Sequence, residues 1–144
     1  MLDNRHTEFS FSEAVGFTAR LSTDTDYSGG DTVLFDDVIS NLGNRYDPAT
    51  GLFTCPFRGM YGISLYVFSQ MDKDTTIKIV NDGNEMVRFW ADGEADQQLS
   101  NGVGGMIVVE CDVGKTISAV SEGSGLLDGG SDGSLFSVAL IHRI

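Results

Sequence analysis

Residues 59–68 read GMYGISLYVF, and the fold is decided by how that run alternates. With a period of two, Tyr61, Ile63, Leu65 and Val67 point one way while Met60, Tyr66 and Phe68 point the other, with only Gly62 and Ser64 small or polar between them. Antiparallel strands usually leave one face to water, so a strand apolar on both faces predicts cover for the second. No stretch of the chain keeps a helical period for three turns, so that cover is assigned to another subunit. The closing run at residues 134–143 reads VALI at its centre and is apolar on both faces as well. The predicted subunit contact therefore takes Tyr61, Ile63 and Leu65 from the first run and Val138 and Leu140 from the second.

Outward from this strand, turn signals recur about every ten residues among 18 glycines and 2 prolines, the punctuation of an all-β sandwich or barrel. Alternating segments are predicted at 15–21, 32–41, 52–57, 75–80, 85–90, 105–111 and 116–121. Asp82-Gly83 marks a tight hairpin, and residues 23–31 and 122–133 read as glycine-rich or acidic loops. Residues 1–10 read as a flexible tail and 11–144 as one domain, long enough to bury about two thirds of its unfolded surface.

The same region carries a spacing: Phe35, five residues, Asn41, four, Tyr46, six, Phe53, five, Gly59, one, Tyr61. It resembles the globular-head domain of the complement C1q family, a trimeric jelly roll related in fold to the tumour-necrosis-factor superfamily. Ile63 and Leu65 stand where that family's pattern continues with aromatic residues. Ser134, Phe136, Ser137, Leu140 and Ile141 resemble the family's last strand, with Val138 and Ala139 in place of a Gly-Phe pair. The resemblance implies a trimeric jelly-roll β-sandwich of about ten strands, lacking a collagen stalk because no Gly-X-Y repeat is present.

Nine basic against 21 acidic residues give a net charge of −12, which repels phosphate backbones and sets nucleic acid aside as a partner. Residues 1–12 lack the apolar core of a leader, and no run reaches membrane-spanning length. The chain is expected to start after processing, to be secreted and extracellular, and not to insert in a membrane. Cys55 and Cys111 show neither a CxxC nor zinc-ligand spacing, and Cys55 is expected to be a buried free thiol in the interior. A disulfide between the two stays open on sequence alone.

Gly114-Lys115-Thr116 lacks the glycine five positions earlier, where Val109 stands, and the helix that a phosphate loop needs. His6 and His142 lie near the chain ends, away from any loop that gathers a nucleophile, so no enzyme is expected. Strand directions in the resembled jelly roll gather Asp24, Asp26, Asp31, Asp72, Asp74, Asp92, Glu94, Asp96, Glu122, Asp128 and Asp132 at one end, the apex, eleven of the 21 acidic residues.

Like charges this close are relieved by a cation, and Ca²⁺ takes carboxylate and carbonyl oxygens in flexible geometry. No cofactor is required. Asp72, Asp74, Asp92, Asp96, Asp128 and Asp132 are the Ca²⁺ candidates, with Tyr27, Trp90, Asp92, Asp128 and Asp132 as a ligand site in which the two rings stack on a sugar. The resulting expectation is a non-catalytic homotrimer that recognises glycans or microbial-surface molecules in innate immunity. The alternative is a structural trimerisation or matrix-assembly module.

Overall fold

A computed structural model describes residues 14–69, 74–91, 101–130 and 133–144, with Asn101 described in its backbone alone. Twelve strands follow one another among these residues: β1 Gly16–Arg20, β2 Thr25–Tyr27, β3 Asp37–Leu42, β4 Tyr46–Asp47, β5 Leu52–Thr54, β6 Gly59–Ser69, β7 Thr75–Asn81, β8 Asn84–Ala91, β9 Asn101–Cys111, β10 Thr116–Glu122, β11 Gly125–Leu127 and β12 Leu135–Arg143. They form two antiparallel sheets. The inner sheet runs β2-β11-β6-β12-β1-β3, with β9 pairing β6 along its whole length, and the outer sheet runs β4-β5-β10-β7-β8.

The sequence placed the long strands within a few residues. It missed β2 and β11, which pair with each other inside the two segments read as loops and extend the inner sheet at one end. Three-residue strands are too short to alternate detectably, so only their pairing reveals them.

The core lies between the sheets and is aromatic at its centre. The Phe17 and Tyr46 rings stack at 3.9 Å, and Phe17 also meets Phe53 at 5.6 Å and the edge of Phe136 at 5.2 Å. Phe53 in turn meets Tyr61 at 5.9 Å.

The spacing read in the sequence acquires a physical reason here. The Asn41 side-chain amide donates to the Tyr46 carbonyl at 2.9 Å and accepts from the Tyr46 amide at 3.2 Å, clamping the turn between β3 and β4. The Tyr46 hydroxyl then donates to the Phe35 carbonyl at 2.8 Å, so the two ends of the motif are tied inside the core. Gly59 is required by close approach, because a Cβ there would lie 2.6 Å from the His142 carbonyl oxygen.

Burial holds the Tyr46 hydroxyl well above the ordinary tyrosine range, with Asp36 and Asp47 adding to it against the lowering effect of its bond to Phe35. The folded state thus favours the neutral ring. Its stabilising contribution is fully present below the unfolded value near 10 and is lost as pH climbs from there toward the folded pKa. Each tyrosine that ionises only on unfolding removes about 1.4 kcal/mol per pH unit in that window. Stability from urea melts between pH 9.5 and 11.5 should therefore fall with pH, and the slope should flatten in Tyr46→Phe. An unchanged slope in that variant would place the alkaline sensitivity elsewhere.

Candidate assembly face and ligand surfaces

The pairing register decides which side chains of β6 meet the second sheet. Tyr61, Ile63, Leu65 and Val67 point between the sheets, each 0–1% exposed, and Val138 of β12 joins them at 1%. The contact predicted for Tyr61, Ile63, Leu65, Val138 and Leu140 is therefore corrected. The first, second, third and fourth are sealed in the protomer's own core, and Leu140 is half-buried against it. The larger set of an alternating strand goes inward, where the outer sheet supplies contacts that water cannot.

The outward set is the one left over. Met60, Gly62, Ser64, Tyr66 and Phe68 of β6 lie in register with Glu110, Val108, Met106, Gly104 and Gly102 of β9. On the other side, Gly62 and Ser64 pair with Ala139 and Ser137 of β12, which pair with Gly16 and Thr18 of β1. Small residues thus line a shallow groove of about 520 Å³ down the middle of the sheet, walled by Met106, Ile141 and Leu42.

A Cβ at Gly62 would come within 2.9 Å of the Met106 methyl and 3.2 Å of Ile141, so that glycine lets the two side chains close over the strand. A Cβ at Gly104 would stand 2.7 Å from the Tyr66 ring, which therefore leans across β9 toward its neighbour Phe68, the two rings stacking at 6.5 Å.

Among the described residues most of the exposed large apolar side chains belong to this sheet: Ile39, Leu42, Tyr66, Met106, Val108 and Ile141 are each half or more exposed. Its described charges sit toward the rims: Arg20 pairs with Asp37 at 2.6 Å, Arg58 with Glu110 at 2.7 Å, the Arg143 guanidinium lies over the Phe57 ring, and Asp26 is exposed on β2 at the far edge. A chain of net charge −12 thus presents one face whose middle, residues 62–68 of β6, 102–109 of β9 and 137–141 of β12, carries no charged residue, and such a middle meets a copy of itself with little repulsion.

Cys55 and Cys111, both fully buried, are joined as a disulfide with Cα atoms 6.5 Å apart. The expected free thiol is corrected. The bond ties the outer sheet, where Cys55 follows β5, to the inner sheet, where Cys111 ends β9. It lies at the end opposite the acidic loops, where Gly59 faces both Cys111 and Arg143.

At the other end, Ser69 pairs with Asn101 and Leu127, and Thr75 with Ala91, so the segments following β6, β8 and β10 leave from one side as the resemblance implied. Of the Ca²⁺ candidates, Asp74 and Asp128 fall within the described residues, and Asp72, Asp92, Asp96 and Asp132 fall outside them. Three further apex acids are engaged. Asp31 accepts the Ser28 amide at 2.8 Å. Asp24 accepts the Gly129 amide at 2.9 Å, and Glu122 pairs with Arg88 at 2.5 Å. Among the described residues no group of three or more His, Cys, Asp or Glu side chains gathers to hold a metal.

Tyr27 is 8% exposed, its ring turned inward from β2 toward Gly125 and Thr75, so the expected stacking of Tyr27 on a sugar is withdrawn. Trp90, by contrast, is 59% exposed on β8. Glu122, Thr76 and Arg88 surround it on the outer sheet. The sequence had no means to gather them, since they come from three strands.

A C1q domain family model matches residues 16–141. Complement C1q tumor necrosis factor-related protein 6 of Rattus norvegicus and of Mus musculus are each 40% identical over 60 residues, 42% of this chain. That stretch spans 23% of the length of either relative. The globular domain of zebrafish complement 1qA protein superposes with a TM-score of 0.71 over 90% of this chain and 99% of that one, at 20% identity. Murine APRIL superposes at 0.70 over 89% of this chain and 99% of that one, at 12% identity. These two likenesses carry the jelly-roll fold.

Proposed function

The chain belongs to the C1q domain family, and from that membership we propose that it is a non-catalytic, secreted recognition module that assembles as a homotrimer through the outward face of its inner sheet. The largely apolar face along β9, β6, β12 and β1 carries the reading, because its charge-free middle offers a copy of itself an interface with little like-charge cost. The buried disulfide supports secretion, since such bonds persist in oxidising compartments. His142 is exposed near the C-terminus on β12, away from the apex loops, which supports a non-catalytic role.

Assembly on the inner sheet leaves the apex and the outer sheet free in all three copies. Weak sites on one rigid trimer then bind a repetitive glycan or microbial surface by avidity. Ca²⁺ at the apex carboxylates belongs to the same proposal and stabilises by mass action.

Light scattering at micromolar protein is expected to give three times the 15.5 kDa chain mass. A glycan array with and without Ca²⁺, and melts at fixed ionic strength in Ca²⁺, Mg²⁺ and chelator, complete the test. A monomer by scattering overturns the assembly. A trimer with no saturable glycan leaves the matrix-assembly role, and superimposable melts remove the cation.

A further inference from the structure

Among the described residues, the exposed large ring that the assembly face does not account for is Trp90, the chain's single tryptophan, on the edge strand of the opposite sheet. Its surroundings are built. Thr76 of β7 pairs with Trp90 on one side and with Glu122 of β10 on the other, so the three side chains stand in one row on one face. Adjacent strands lie about 4.8 Å apart, which puts Trp90 and Glu122 about 10 Å apart across the row, room for one pyranose ring with its hydroxyls.

Two residues along the strands, Arg88 and Lys78 form the next row on the same face. The Arg88 guanidinium donates to Glu122 at 2.5 Å and to Glu85 at 2.7 Å, bridging over β7 and holding both carboxylates in place. One oxygen of each carboxylate is taken by Arg88, and the second remains an acceptor on the surface, as the Thr76 hydroxyl and the Lys78 ammonium remain donors.

We propose that Trp90, Thr76, Glu122 and Arg88 form a platform on the outer sheet that binds a neutral pyranoside, its apolar face on the indole and its hydroxyls on the row of polar groups. The charges decide against other ligands. Arg88 and Lys78 cancel Glu85 and Glu122, so the platform offers no net charge to an ionic ligand, and the −12 of the whole chain repels a polyanion. A protein partner needs an apolar centre spread over about 800 Å² per side, and here one indole and the half-exposed Met86 stand among polar groups. A sugar needs the combination present, one aromatic plane beside fixed donors and acceptors.

The inference rests on the recognition-module reading and supplies it with a site. The outer sheet faces away from the assembly face, so three platforms stay open on a trimer.

Because Trp90 is the sole indole, its emission reports occupancy directly. Titration of the full chain with methyl α- and β-hexopyranosides and with neutral β-glucan and chitin oligosaccharides should give a saturable blue shift with at least one of them. N-acetylneuraminic acid and heparin should give none. Saturation-transfer NMR with the responding sugar should lose its signal in Trp90→Ala. Glu122→Gln should weaken binding about tenfold, the loss of one strong polar contact.

Circular dichroism and light scattering on the same samples check that each variant keeps the fold and assembly state of the parent. A shift only with the anionic probes, no shift with any neutral saccharide, or transfer signal retained in folded Trp90→Ala each overturns the platform. Retained signal leaves saccharide recognition standing elsewhere on the molecule, and a trimer silent to every sugar leaves assembly standing without it.

Discussion

Ile141→Asp is expected to convert the proposed trimer to a folded monomer, while Leu65→Asp is expected to yield no folded protein. Ile141 is 55% exposed in the protomer and walls the groove on the inner sheet, so a carboxylate there is hydrated as long as the subunit is alone. Assembly carries three such carboxylates, one per subunit, into apolar contact without partners, at several kcal/mol each. A trimer that sediments as one species at micromolar protein should then run as 15.5 kDa with a far-UV spectrum unchanged.

Leu65 stands on the neighbouring strand β6, opposite Phe136 and so five positions along from Ile141, but faces the core, 0% exposed. Deleting its side chain costs about 2–5 kcal/mol, and burying an unpaired carboxylate in its place adds several more. The sum approaches the whole stability of a domain. Sedimentation with a thermal melt separates the two variants. A trimeric Ile141→Asp means the assembly face lies elsewhere, and a Leu65→Asp that melts like the parent means the register of β6 is wrong.

Removing the disulfide should have the second large effect. Cys55 and Cys111 are 56 residues apart in sequence, and cross-linking a loop of that length restricts the unfolded chain by about 4 kcal/mol. The doubly substituted Cys55→Ala/Cys111→Ala protein should therefore melt roughly 15 °C lower. The bond also joins the two sheets at one end, so its loss should speed hydrogen exchange first at the end of β9 and in the turn where Gly114 donates to the Cys55 carbonyl. Mass spectrometry after iodoacetamide in denaturant without reductant should find neither cysteine labelled. Two labels under those conditions mean the thiols are free.

The two effects bear on function differently. In the proposed trimer the outward face sets how many copies of the apex and of the Trp90 platform act together, and so the avidity for a surface. The disulfide governs how stably the aromatic-centred core holds its two sheets together.

Trp90 shows how far residue type alone carries a site. The sequence marked it as a ring fit to stack on a sugar, but set beside it Tyr27, which β2 turns inward, and acids of the next loop. Its structural neighbours Thr76 and Glu122 lie 14 and 32 positions away along the chain, on strands that only sheet pairing makes adjacent.

What the sequence determined by itself is everything that a local period or a fixed spacing can carry. The two-step alternation of residues 59–68 dictates a strand apolar on both sides, and the spacing of Phe35, Asn41, Tyr46, Phe53 and Tyr61 dictates the clamp and the Phe53–Tyr61 contact, whose partners lie within the same motif. Gly59, by contrast, meets His142, and the aromatic centre closes on Phe17 and Phe136 from outside the motif. Tertiary structure alone decided which side of β6 is the inside, since alternation is symmetric until a second sheet packs on one face and takes the bulkier side chains. It also decided that Cys55 meets Cys111. A covalent bond depends on a distance in space, and across a sequence separation of 56 that distance is set by how two sheets close at one end.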